Sequence, residues 1–271
     1  MRKFAVLLSY AGTNYCGWQT QRGSAAEGFP SIQSTIQAAL LKMTGEEVSI
    51  VGSGRTDSGV HAVGQVAHFI LSKKPWQPRI LYNGLNSLLP IDIRVQAVCP
   101  VTIDFHAQKS ALKKQYSYYF QQGPCALPHL EPYSWWIRKR LDLEAMSEAL
   151  SYLKGEHDFK PFQASGAKPG PTIRKILETE VRFEPVVFPA AEEGCGFVRV
   201  RVLGTGFLKQ MVRGIAGTLL QVGERCRDPR CMKEILEHRE RSSVGPTAPG
   251  RALWLEKVWY PENYGLFAQT D

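Results

Sequence analysis

The chain has 271 residues and six cysteines, and its 33 Lys and Arg against 25 Asp and Glu leave a formal charge of +8 at pH 7. That length buries a full core in one large domain or two halves, and the basic balance favours a polyanionic partner, nucleic acid foremost. Cys16, Cys99, Cys125, Cys195, Cys226 and Cys231 form no Cys-x-x-Cys pair and no zinc-like spacing with histidine, which speaks against a structural metal and for reduced thiols in the cytoplasm.

In chain order, Met1-Arg2-Lys3 ahead of a five-residue apolar run at 4–8 imitates a signal peptide, but the run is short of the roughly seven to fifteen residues of an h-region. Residues 3–10 are therefore predicted as a buried strand. Ile32, Ile36, Ala39, Leu40 and Met43 fall on one face of a helix over 31–43, with Ser31 after Pro30 as its N-cap. Strands follow at 48–51 and 63–71, a short helix at 81–88 and a strand at 93–97, which closes a first half at 1–107.

The second half, 108–271, opens on the aromatic strand 115–120 and a Pro-rich loop. Next come a helix from Asp142 to residue 150, with Asp142 as cap, and strands at 176–183 and 196–203. In the last of these Phe197, Arg199 and Arg201 alternate with Val198, Val200 and Val202. The most apolar helix spans 207–220 and carries Arg213. A buried arginine needs an anionic partner, a protein carboxylate or a substrate phosphate, unless its guanidinium snorkels to water at a helix end. No segment reaches the roughly 18 uncharged residues of a membrane span. Flexible stretches are expected at 21–29, 166–171 and beyond Tyr260.

Between the strands at 48–51 and 63–71 lies Gly52-Ser53-Gly54-Arg55-Thr56-Asp57-Ser58-Gly59-Val60-His61-Ala62. Glycines let such a loop turn sharply and approach a ligand, and Arg55, two residues away, favours the ionised carboxylate of Asp57. Asp57 is thus a candidate nucleophile or base. On residue types alone a surface turn with a structural ion pair is the favoured reading. Asp57 with His61 makes a poor metal site, so His61 is expected to hydrogen-bond within the turn.

Several blocks then converge. Tyr10-Ala11-Gly12-Thr13-Asn14-Tyr15-Cys16-Gly17-Trp18-Gln19-Thr20-Gln21 precedes Gly54-Arg55-Thr56-Asp57-Ser58-Gly59-Val60-His61-Ala62. Leu85-Asn86-Ser87-Leu88-Leu89-Pro90-Ile91-Asp92-Ile93, Phe105-His106-Ala107, Tyr116-Ser117-Tyr118, His157-Asp158-Phe159, Phe207-Leu208-Lys209-Gln210-Met211-Val212-Arg213 and Thr247-Ala248-Pro249 follow in order. In these blocks the chain resembles the TruA family of tRNA pseudouridine synthases.

The resemblance implies an α+β pseudouridine synthase fold: two RRM-like α/β halves sharing a mostly antiparallel sheet, with a central active-site cleft. It implies Asp57 as the catalytic residue, and Arg55 as the group that holds or neutralises it or grasps a phosphate where the nucleotide leaves the stack. Tyr116 would support the flipped uracil or help remove its C5 proton, although a phenol of reference pKa about 10 is a weak base at pH 7. Without the resemblance Tyr116 reads as a cross-strand packing residue. Arg213 is expected beside Asp57.

Lys113, Lys114 and Arg138, with Lys139, Arg140 and Lys168, are candidates for a phosphate track, against the plainer reading of solvated charges. Trp135 and Trp136 either stack on RNA or pack. The resemblance further implies a homodimer on tRNA, acting on uridines of the anticodon stem-loop. No membrane, metal or nucleotide cofactor is expected, since the isomerisation needs no redox change or energy input. Ala11, Ser58 and Gln108 depart from the family pattern, Gln108 replacing an arginine for which Lys109 is the nearby substitute. Two rivals remain: an idle RNA-binding protein on the same scaffold, and a dimeric aspartic protease built on Asp57-Ser58-Gly59.

Overall fold

The computed structural model describes residues 1–19, 28–167, 169–185 and 195–267. Lys168, most of the stretch 21–29 and the last four residues lie outside them. The described elements are β1 (Arg2–Tyr10), α1 (Ile32–Thr44), β2 (Val51–Gly52), β3 (His61–Leu71), α2 (Pro78–Leu88), β4 (Ile93–Val101), β5 (Lys113–Gln122), β6 (Trp135–Ile137), α3 (Leu143–Ser151), β7 (Gly155–Asp158), β8 (Ile173–Pro185), β9 (Gly196–Gly204), α4 (Met211–Gly223), α5 (Cys231–His238) and β10 (Leu253–Trp259). The class is α+β. The chain forms two compact units, Met1–Lys114 joined by the residues from Leu255 onward, and Gln115–Trp254. The sequence boundary near 107 differs from this passage at Lys114–Gln115, and the last strand, read there as part of the second half, lies beside β3 in the first unit.

In the first unit the strand order is β4-β1-β3-β10, with β2 on β3. β1 runs antiparallel to both β3 and β4. Lying between two strands, β1 buries Phe4, Ala5, Val6, Leu8 and Tyr10, hence its nearly continuous apolar run. Helix α1 starts where Ser31 Oγ accepts the Ser34 N–H at 3.0 Å and stops at Gly45, whose φ is 69°. It buries Ile32, Ile36, Ala39 and Leu40, the larger of which contribute about 1.5–3 kcal/mol each.

The strand expected at 48–51 shrinks to Val51–Gly52, because Gln37 and Gln33 of α1 donate to the carbonyls of Val48 (2.8 Å) and Ile50 (2.7 Å), and this segment follows the helix. On the far side, Asn86 of α2 both donates to Val95 O (2.8 Å) and accepts from Val95 N (2.9 Å), pairing the outer edge of β4 as a neighbouring strand would.

His68 of β3 is 7% exposed and accepts the Ala107 N–H on Nδ1 at 3.1 Å. Burial, then nearby Lys3 and His106, lower its pKa to about 4. Between that value and about 6.5 the unfolded chain binds a proton that the folded chain refuses, so this contribution is complete above about pH 6.5 and is lost as pH falls towards 4. We expect His68→Gln, compared with wild type by urea unfolding between pH 7.5 and 4.5, to flatten the acid loss by up to about 3 kcal/mol. An unchanged slope would contradict this.

In the second unit the order is β5-β9-β8-β7, with β6 parallel to β5. β8 pairs antiparallel with both β7 and β9. Val198, Val200 and Val202 are buried, while on the opposite face Arg199 meets Glu184 at 2.9 Å and Arg201 meets Glu180 at 3.0 Å. Asp142 caps α3 by accepting from Ala145 N at 3.0 Å, as the sequence predicts. The helix expected over 207–220 begins only at Met211, since Gln210 takes a left-handed conformation with φ 61° and breaks the run. Trp135 packs against Phe120 at 5.9 Å and Tyr118 at 6.5 Å, and Trp136 Nε1 donates to Gly123 O at 3.2 Å. No described helix is long and apolar enough to cross a membrane.

Candidate active site

The loop between β2 and β3 is held by hydrogen bonds from several elements. Ser53 N donates to Val66 O at 2.7 Å, and the Lys114 ammonium donates to Ser53 O at 2.6 Å, tying down the loop's entrance. Gln65 of β3, fully buried, accepts from Ser53 Oγ (2.6 Å) and donates to Gly54 O (3.0 Å). Val60 N returns to Asp57 O at 3.1 Å, closing a turn whose third residue, Gly59, has φ 76°. Only glycine takes that conformation without strain. Asp57 is thereby displayed at the tip, half-buried, neither sealed in the core nor fully exposed.

The segment following β1 forms the other wall. Trp18 N donates to Thr56 O at 3.0 Å, Gly12 N donates to His61 Nδ1 at 3.0 Å, and Ser58 Oγ donates to Tyr15 O at 3.1 Å. Gly17 has φ 104°, and a Cβ there would stand 2.5 Å from Thr56 O. The first two sequence blocks are thus one physical object: the backbones of 12–18 and 54–60 lie in direct contact. His61 Nδ1 thus accepts from across this contact. Ser58, a departure from the family pattern, adds one hydrogen bond to it.

Beneath the tip, Tyr10 OH lies 2.9 Å from Thr56 Oγ1, and Gln65 Nε2 reaches Tyr10 OH at 3.4 Å. Burial pushes the Tyr10 pKa up to about 12, so it serves as a neutral hydrogen-bonding phenol. Arg55 is exposed, and its guanidinium makes no hydrogen bond or ion pair among the described residues. The Arg55–Asp57 clamp that two-residue spacing suggests does not form.

Tyr116 and Arg213 belong to the second unit. Tyr116, on β5 and 7% exposed, meets the Phe207 ring edge-on at 5.0 Å. Arg213, half-buried near the start of α4, is gripped by the Thr247-Ala248-Pro249 segment: its Nε donates to Ala248 O at 2.7 Å, and Ala248 N donates to Arg213 O at 3.1 Å. Tyr118 alongside donates to Pro249 O at 3.0 Å. These bonds explain why the two blocks carrying Arg213 and Ala248 occur together.

Of the proposed phosphate track, Lys114 is committed to Ser53, and Lys113 lies 5.0 Å over the Trp259 ring. Arg138, Lys139 and Arg140 are exposed side chains following β6. Gln108 and Lys109 are also exposed, their N–H groups shared by His106 Nδ1 at 3.2 and 3.3 Å. Gln65, Tyr10 and Ser53 are not singled out by sequence. The one available signal is a glutamine placed among buried residues of β3. No group of three metal-binding side chains occurs among the described residues.

The family profile described as tRNA pseudouridine synthase matches residues 6–108 and 149–261. The chain is 37% identical over 263 residues to a tRNA pseudouridine synthase A of Bdellovibrio bacteriovorus, covering 96% of this chain and 96% of the relative. It is 38% identical over 260 residues to the protein of that name from a Thermoanaerobacter species, with coverage of 96% and 100%. With the one from Chlamydia felis it shares 35% over 273 residues, covering 100% of this chain and 96% of the relative.

Proposed function

We propose, given that the chain belongs to the tRNA pseudouridine synthase family and isomerises uridine to pseudouridine in tRNA, that Asp57 is the side chain that reacts with the target nucleotide. The supporting observation is a half-buried carboxylate at the tip of a turn whose backbone is fixed on both flanks. In the reaction the N1–C1′ bond of uridine breaks, a C5–C1′ bond forms, C5 loses a proton and N1 gains one. Atoms and electrons balance without oxidant, reductant or cofactor. Asp57 attacking the sugar, attacking the base ring, or taking a sugar proton all start from the same carboxyl group.

Arg55, exposed and without a protein partner among the described residues, suits the phosphate of the extruded nucleotide rather than the carboxylate. Tyr116 is assigned to the uracil ring and Arg213 to the nucleotide's anionic surroundings. Lys113 and Arg138 remain assigned to RNA backbone, and Lys114 to the root of the catalytic loop as well. By the same resemblance, the protein acts in the cytoplasm, as a homodimer, on uridines of the anticodon stem-loop, and the net charge of +8 suits that partner.

The test is incubation of purified protein with a pool of unmodified tRNA, followed by mapping of carbodiimide-reactive uridines. New pseudouridine confined to the anticodon stem-loop is the expected result. Modification elsewhere would overturn the specificity, and tRNA binding without any modification would instead favour an idle RNA-binding protein.

A further inference from the structure

We propose that Gln65 is a positioning residue for Asp57, aligning the carboxylate through the buried groups of Ser53, Gly54, Tyr10 and Thr56. The inference rests on the reading of Asp57 as the reacting side chain. Gln65 stands on β3, opposite Leu8 of β1, and is 0% exposed. Its amide orientation follows from its neighbours. Gly54 O can only accept, so Nε2 faces it at 3.0 Å, and Oε1 is left to accept the Ser53 hydroxyl at 2.6 Å. The second hydrogen of Nε2 points to Tyr10 oxygen at 3.4 Å, and the Tyr10 and Thr56 hydroxyls share a hydrogen bond at 2.9 Å.

One side chain thus reaches residues 53 and 54 directly and residue 56 through Tyr10, the stretch that leads into Asp57. Ser53, Tyr10 and Thr56 are 0%, 3% and 5% exposed, so water does not compete for these bonds. A satisfied buried network of this kind selects one loop geometry rather than merely adding stability. The bonds from Trp18 N to Thr56 O and from Ser58 Oγ to Tyr15 O, and the turn closed by Val60 N, do not involve Gln65 and remain when it is altered.

The experiment compares Gln65→Leu, Tyr10→Phe and Asp57→Asn with wild type in single-turnover modification of tRNA at saturating protein, with tRNA affinity measured alongside. For Gln65→Leu we expect a rate about 10²-fold lower, full final amplitude and unchanged affinity, the cost of a displacement of the order of 1 Å. Tyr10→Phe, which removes only a hydroxyl, is expected to lose about tenfold and carries the test if Gln65→Leu does not fold. A purely structural role would lower the fraction of protein competent to bind tRNA and leave the saturated rate of the folded fraction unchanged. That outcome, or a wild-type rate in the variant that folds, overturns the proposal. Full activity in Asp57→Asn would instead sink the reading of Asp57 itself, whatever Gln65 does.

Discussion

Asp57→Asn is expected to slow pseudouridine formation by at least about 10³-fold while tRNA affinity stays within about threefold of wild type, because an amide of the same shape is neither a nucleophile nor a base. The hydrogen bonds that fix the loop run through the backbones of Gly54, Thr56 and Asp57 and through the side chains of Ser53, Ser58 and Gln65. The substitution leaves each of them in place. The loop backbone is therefore expected to persist in the variant. Loss of tRNA binding in step with activity would identify Asp57 as a structural residue of the turn, the plainer alternative that residue types alone allow.

Gly17→Ala is expected to destabilise the protein by about 2–5 kcal/mol, combining a left-handed backbone that disfavours a Cβ with a clash against fixed backbone. Its φ is 104°, and the added carbon would lie 2.5 Å from Thr56 O and 3.0 Å from Asp57 C. Neither neighbour is the yielding end of a side chain. Thr56 O is already engaged by Trp18 N, so relief of the clash displaces the very turn that carries Asp57. The melting midpoint should fall by about 4–9 °C for a chain of this size, with turnover falling further than the loss of folded protein explains. Gly170, with nothing within 4 Å of a built Cβ, is the control: Gly170→Ala should stay within about 0.5 kcal/mol of wild type. A midpoint within about 2 °C for Gly17→Ala would show that the two segments are not locked together.

The regular parts of the fold are legible in sequence where one residue type reports one local cause. Ser31 and Asp142 are caps because a short oxygen-bearing side chain precedes an apolar period, and both accept the third N–H that follows. The alternation in β9 is visible because valines face one way and arginines the other. Where a distant partner decides, the pattern fails. Val48 and Ile50 look like strand residues, yet two glutamines from α1 take their carbonyls, and only Val51–Gly52 pairs. Gln210 sits inside an apolar run, but its left-handed turn delays α4 to Met211.

The site divides in the same way. Asp57 is conspicuous because glycines crowd around a carboxylate and because its block has a recognisable companion at Tyr10–Trp18. What the residue order does not reveal is that the companion is the other wall of the same loop. Gln65, Tyr10 and Ser53 lie apart in the chain, and only folding places them under one turn. Arg55 shows the converse: spacing suggests a partner for Asp57, and the side chain is exposed with no hydrogen bond or ion pair among the described residues.

The most direct measurement follows the C5 hydrogen itself. With tRNA carrying 5-tritiated uridine and protein in excess, wild type should release the label to water as pseudouridine appears, and Asp57→Asn should bind the same tRNA yet release label at no more than about one thousandth of that rate. Label released by Asp57→Asn at a rate comparable to wild type would show that another group performs the chemistry.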